Sequence, residues 1–107
     1  MAAVYTQVLG HVSREGVADV ITWTVDPSQA TIIRHISVTG VGSGPLLFSV
    51  YYLSGGLVYF VDRRHVQPDE TVQVQLRQRL PDDAELHVSG DATLWSVLVT
   101  GYLLQNE

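Results

Sequence analysis

Four histidines, eleven carboxylates and one glycine-rich run are the residues of this chain whose types could do chemistry. The histidines, His11, His35, His65 and His87, stand far apart, and none has the HxH or HxxxH spacing of a zinc site. On sequence alone His87 reads as a solvated strand residue, His65 as a loop residue and His35 as a rim residue. Asp69-Glu70 and Asp82-Asp83-Glu85 make acidic loops. They lack the dense oxygen ligands around a glycine that a calcium loop carries, so they read as solvated turns. Gly40, Gly42 and Gly44 have the spacing of a phosphate loop. Such a loop hands its anion to the amides of a following helix, whereas Pro45 and the apolar run LLFSVYYL follow here. The run reads as an inter-strand connection. No serine lies in a GxSxG elbow, and there is no cysteine to act as a nucleophile. Paired carboxylates for glycoside hydrolysis depend on their separation in the fold and stay open at this point. The expectation is a non-enzymatic protein with no catalytic residues, no cofactor and no metal.

The elements that would carry these residues are strands. From Thr71 to Leu80, Val72, Val74, Leu76 and Leu80 fall on one parity and Thr71, Gln73, Gln75, Arg77 and Arg79 on the other. Successive side chains of a strand face opposite sides, so this is one apolar and one hydrated face, with Gln78 the polar exception. Pro81-Asp82-Asp83 stops it, since proline cannot continue the ladder. Ala84 to Ser89 alternates again, with Leu86 and Val88 inward against Glu85, His87 and Ser89. Gly90-Asp91 turns the chain into Thr93 to Leu103, which makes the last three strands read as an antiparallel meander.

Earlier in the chain, Ala2 to Val12 is β-prone and Arg14-Glu15-Gly16 is a turn. Val20 to Val25 is dense in β-branched and aromatic residues, with Ile21, Trp23 and Val25 as its apolar face. Asp26-Pro27-Ser28-Gln29 has turn chemistry. Thr31 to Val41 sets Ile32, Ile36 and Val38 against Ile33, His35 and Ser37. Arg34, on the first parity, is expected at a rim with its stem on apolar surface. Leu46 to Leu53 and Leu57 to Val61 are joined by Ser54-Gly55-Gly56, with Asp62-Arg63-Arg64-His65 a charged cluster beyond them. Both strands are apolar on both parities, which suits a strand covered on both sides or by another subunit. Tyr51, Tyr52, Tyr59, Phe60 and Tyr102 could form a sugar-stacking platform or a subunit contact, while Trp23 and Trp95 read as core. Eight strands, no helix and frequent turns predict an all-β fold: one antiparallel β-sandwich, jelly-roll-like, spanning residues 1–107 as a single domain.

Composition narrows the partners. The 107 residues carry a net charge of −5, with 46% hydrophobic and 16% charged residues, too apolar for disorder. Six arginines and no lysine against eleven acids make a poor surface for a polyanion, so no nucleic acid is expected. No apolar segment reaches the roughly 18 residues that span a bilayer, so no membrane is expected either. The start MAAVYTQVLGHV lacks the basic and apolar regions of a signal peptide.

DPSQATIIRHISV, QPDETVQVQLRQRLPDDAELHVSG and WSVLVTGYLL together resemble small all-β proteins encoded by tailed bacteriophages. Pro27 to Ile36 is similar to their turn into an Ile-rich strand with a basic residue. Pro68 to Leu80 resembles their acidic turn before a Val/Leu strand, Pro81 to Val88 their next turn, and Val97 to Leu103 their final strand ending in Gly-Tyr. The resemblance implies a virion structural protein, a capsid decoration or cement protein first and a minor tail protein second, with no catalytic residues. It also implies a homo-oligomer, a trimer, that contacts major capsid or tail proteins. The excess apolar surface of the two middle strands nominates Leu47, Tyr51, Leu57 and Tyr59 for the subunit interface. The alternative is a carbohydrate- or host-receptor-binding module, with Tyr51, Tyr52, Tyr59 or Trp23 exposed beside Asp or Gln side chains.

Overall fold

A computed structural model describes residues 3–41, 46–91 and 94–105. Eight strands follow in order: β1 (Ala3–Arg14), β2 (Ala18–Thr24), β3 (Gln29–Val41), β4 (Leu46–Ser54), β5 (Leu57–Val66), β6 (Thr71–Leu80), β7 (Glu85–Gly90) and β8 (Leu94–Gln105). They form two four-stranded antiparallel sheets, ordered β1-β8-β3-β6 and β2-β7-β4-β5. The pairs β1–β8, β2–β7, β3–β6 and β4–β5 are those of one long hairpin folded at the β4–β5 turn. Alternate pairs then join through β3–β8 and β4–β7, which rolls the hairpin into two layers. This is a jelly roll, the expected fold.

The expected meander of the last three strands is not what forms. Strand β7 leaves β6 and β8 for the opposite sheet, where it pairs with β2 and β4. Short turns connect strands across the sandwich as readily as within a sheet, and turn chemistry alone does not distinguish the two. The Asp26 turn forms as its residues dictate: the Asp26 carboxylate accepts from Ser28 N and Oγ, both at 2.9 Å, and Gln29 N donates to Asp26 O. Of the glycine run, Gly40 lies in β3 and accepts from Asp69 N, while Gly42 and Gly44 lie outside the described residues.

Bulges reset the side-chain parity. In β2 the register slips between Ile21 and Trp23, so Val20 and Trp23 both pack on the core and Ile21 is exposed, against the expected apolar face. In β3 it slips between Ile33 and His35. Ile33 and Ile36, of opposite parity, therefore both enter the core, and Arg34 is the exposed bulge residue with its guanidinium 5.9 Å from the Tyr102 ring. His35 follows on the outer face of an inner strand rather than at a rim. Strand β5 runs through the charged cluster to Val66, which places His65 in a strand and not a loop.

The core lies between the sheets. Leu46, Phe48, Val50, Leu86 and Val88 on one side meet Ile33, Ile36, Val38, Val97 and Val99 on the other, all fully buried or nearly so. Trp95 is buried over Gly90, and its indole N–H donates to Gly16 O at 2.9 Å, tying the β1–β2 turn to the core. Trp23 is only half-buried, with its Nε1 3.4 Å from Thr31 Oγ1.

Leu86→Ala is expected to cost about 2–5 kcal/mol by denaturant titration, and Leu76→Ala less, because Leu76 is only half-buried. Gly101→Ala should fail to fold at all: an added Cβ would sit 1.9 Å from the Ile32 carbonyl oxygen, backbone that cannot swing away. A Gly101→Ala protein that melts at the wild-type temperature would contradict this β3–β8 contact.

Candidate functional site

The outer face of the β2-β7-β4-β5 sheet gathers most of the chemically capable side chains. Register sets them in rows across the strands. Ile21, His87, Tyr51 and Phe60 form one row, and Asp19, Ser89, Ser49 and Arg63 the next. Where the rows meet, Tyr51 Oη donates to Asp19 Oδ2, and the Tyr51 ring stacks on His87 with centroids 4.9 Å apart. His87 Nδ1 lies 3.3 Å from Asp19 Oδ1, and Nε2 lies 3.5 Å from a Glu85 oxygen. Burial first, then the Asp19 hydrogen bond and charge, push the Tyr51 phenol up to about 12. It is therefore a hydrogen-bond donor at every ordinary pH.

His87 is buried, at 9% exposure, against its expected solvated position. The parity that turns it away from the core is right; Tyr51 from the neighbouring strand covers it. A neutral imidazole has one N–H to give, and Asp19 is the nearer acceptor, so Nε2 is left with no aligned partner. The Asp–His pair has the orienting half of a nucleophilic triad. Such a triad needs a hydroxyl or thiol at the other ring nitrogen. Here that nitrogen faces the Glu85 carboxylate. The arrangement fastens β2, β7 and β4 together and offers no nucleophile. Among the described residues, no group of three or more His, Cys, Asp or Glu is placed to hold a metal ion.

Beside this cluster lies an open depression of about 410 Å³. Val17, Ala18 and Leu47 line it together with Ser49, Ser89 and Gly90, with Asp19 on β2 and Arg63 on β5 at its two ends and Asp91 beside Leu47. One Asp91 oxygen accepts from Leu47 N at 2.7 Å, which fixes the carboxylate at the margin. Sequence order hides this group, because its residues come from four strands.

The nominated interface residues separate. Leu47 and Tyr51 lie on the outer face, whereas Tyr59 pairs with inward-facing Tyr52 and stacks on it at 5.1 Å, with Leu57 on the same parity. The four do not form one patch. The β5 half of the hairpin is exposed on both parities: Leu57 61%, Val58 51%, Tyr59 43% and Phe60 56%. The β6–β7 turn pins its tip, where Asp83 accepts from Ser54 Oγ at 2.6 Å and Gly55 N at 3.2 Å. The Ser54 bond holds the Asp83 carboxyl below the usual aspartate range. The acidic turn expected to be merely solvated is thus a brace.

No protein-family model matches the sequence, and no curated protein is significantly similar to it. Solved structures are similar in shape. A chain of infectious bursal disease virus, Gx strain, aligns with TM-score 0.60 at 11% identity, over 98% of this chain and 33% of that one. The Gt strain gives 0.60 at 10% identity, over 97% and 32%. PirA gives 0.50 at 15% identity, over 94% and 92%. The likeness is one of fold. The chain spans about a third of the bursal-virus chains it matches.

Tyr51 generates an alkaline prediction. Its folded value lies above the ordinary 10.0, so its contribution to stability is complete below pH 10 and is lost as pH rises towards about 12. Tyr51→Phe should remove the late component of the phenolate absorbance titration and flatten the loss of stability in that window. An unchanged titration would show that Asp19 does not hold this phenol.

Proposed function

We propose that the protein is a non-enzymatic virion structural protein of a tailed bacteriophage, an oligomeric accessory module on the particle exterior. Capsid decoration or cement is the leading role and a minor tail protein the second. The observation that carries this reading is the exposed apolar hairpin, Leu57 to Phe60, projecting from an otherwise well-packed jelly roll. Contiguous apolar surface on a small domain is a liability unless a partner covers it. The fold supports the same direction. Jelly rolls build viral capsids, and a chain in bursal-virus-derived T=1 particles aligns with this one at TM-score 0.53 and 9% identity.

In this reading residues 1–107 act as one domain, and the contact centres on Leu57 and Tyr59. Tyr51 and Leu47, on the outer face of β4, fall outside this contact. A homotrimer is the assembly implied by the resemblance to decoration and tail modules. Its partners are further copies of itself and a major capsid or tail protein, and its location is the virion.

Sedimentation of the purified protein should give a species of three chains, and a Leu57→Asp, Tyr59→Asp double variant should sediment as a folded monomer. In an imaged particle the hairpin should lie against another subunit. Finding Leu57 and Tyr59 facing solvent there, with no subunit across from them, would defeat the proposal.

A further inference from the structure

The depression on the outer face of β2-β7-β4-β5 plays no part in the proposed assembly and has the composition of a ligand site. Its volume, about 410 Å³, falls within the roughly 300–1,000 Å³ of small-molecule pockets. The row Asp19–Ser89–Ser49–Arg63 crosses it with one side chain from each of four strands. Adjacent strands lie about 4.8 Å apart, so the Asp19 and Arg63 backbone positions stand about 14 Å from each other, with two serines between.

The two ends are not equivalent. Both Asp19 oxygens are engaged, one by the Tyr51 hydroxyl and one by His87, so this carboxylate is a fixed wall. Asp91 keeps one oxygen beyond its bond to Leu47 N. Arg63 is different: no described carboxylate lies within ion-pair distance of it. The other β5 arginine, Arg64, pairs with Asp62 at 2.9 Å. Arg63 instead rests over the Phe60 ring, 5.4 Å from its centroid, which holds the guanidinium beside the opening.

An unspent guanidinium with a planar fork of donors recognises a carboxylate. The serine hydroxyls donate to and accept from ligand hydroxyls, with Ser49 nearly buried in the floor, and the Asp91 oxygen that no described residue engages accepts. The exposed Phe60 ring supplies an apolar surface beside them. We infer that this depression binds an acidic oligosaccharide, its carboxylate on Arg63 and its hydroxyls along Ser49, Ser89 and Asp91. The row is longer than a single sugar ring and suits a short chain. Of the aromatic residues suited by type to sugar stacking, Tyr51 lies on His87, Tyr52 and Tyr59 stack on each other and Trp23 is half-buried, whereas Phe60 is exposed beside the depression.

The test is titration of the isotope-labelled protein with trigalacturonate, with maltotriose as the neutral counterpart and triglutamate as the acidic peptide. Trigalacturonate should shift the amide resonances of Ser49, Arg63, Ser89 and Asp91. Arg63→Gln should weaken it by about tenfold or more, the size of one lost charge-assisted hydrogen bond, and Ser89→Ala by less. Maltotriose should bind more weakly than trigalacturonate and be indifferent to Arg63→Gln. Equal binding of trigalacturonate to wild type and Arg63→Gln, no shift at these four amides, or a stronger response to triglutamate would each overturn the inference. Sedimentation of Arg63→Gln should match wild type, so loss of saccharide binding and loss of assembly are read separately.

Discussion

Each of the two sheets can bury only one face, and that limit decides the character of every other surface. The inner faces are filled by Phe48, Val50, Leu86 and Val88 against Ile33, Ile36, Val97 and Val99. Full burial of side chains this size contributes about 1.5–3 kcal/mol each before conformational entropy is charged, so the layer outweighs any single polar contact. It also sets the register. A one-residue slip in any strand would turn its apolar set to solvent. Where the chain does gain a residue, at Arg34 or Val61, the bulge is kept because it restores the inward face afterwards. Strand β5 shows the limit of the layer. Its inward positions past the bulge are Asp62, Arg64 and Val66; the first two pair with each other, and only Val66 joins the core. Inward charge on an edge strand discourages pairing with a further strand. The hairpin tip has no such guard.

The sequence shows its strands and turns plainly, because alternation and turn residues act locally. All eight strands and the jelly-roll class follow from them. Which strands pair does not follow, since a turn such as Pro81-Asp82-Asp83 can return the chain to its own sheet or carry it across to the other. Parity also fails wherever a bulge intervenes. Ile21 looks inward only if Thr22 is counted as a regular residue, and Ile33 looks outward only if Arg34 is. Neither bulge has a glycine to announce it. The outer face was legible residue by residue and illegible as a site: Asp19, Tyr51 and His87 are separated by dozens of positions and meet only through the β2–β7 and β7–β4 registers.

That meeting explains how a histidine can be outward and buried together. His87 points away from the core, yet Tyr51 from β4 lies flat on it, and Asp19 from β2 receives both. The cluster replaces hydration with hydrogen bonds between strands, which is the condition for keeping polar groups out of water. The Asp19–His87 pair looks like catalytic machinery and is not arranged as such, because Glu85 occupies the place where a nucleophile would stand. What it supplies is rigidity: a sheet whose outer side chains are locked presents Arg63, Ser49 and Ser89 in fixed relative positions.

Rigidity matters because the same sheet carries an exposed apolar tip and a polar-edged depression. The apolar tip lies at the Ser54 end of β4, and the polar depression at the Leu47 end. Leu57 stands opposite Ser54 and Tyr59 opposite Tyr52, five and three residues along β4 from Ser49, about 16 and 10 Å at the usual rise. Phe60 is the residue nearest to both, exposed at the tip and lying under the Arg63 guanidinium. A partner covering Leu57 and Tyr59 therefore leaves the Ser49–Ser89 floor open, since these residues stand on the opposite parity as well as at the opposite end. A jelly roll held by its hairpin would turn the depression outward from the contact. A small module that docks through one end of a sheet can thus display the other without either surface compromising the core that supports them.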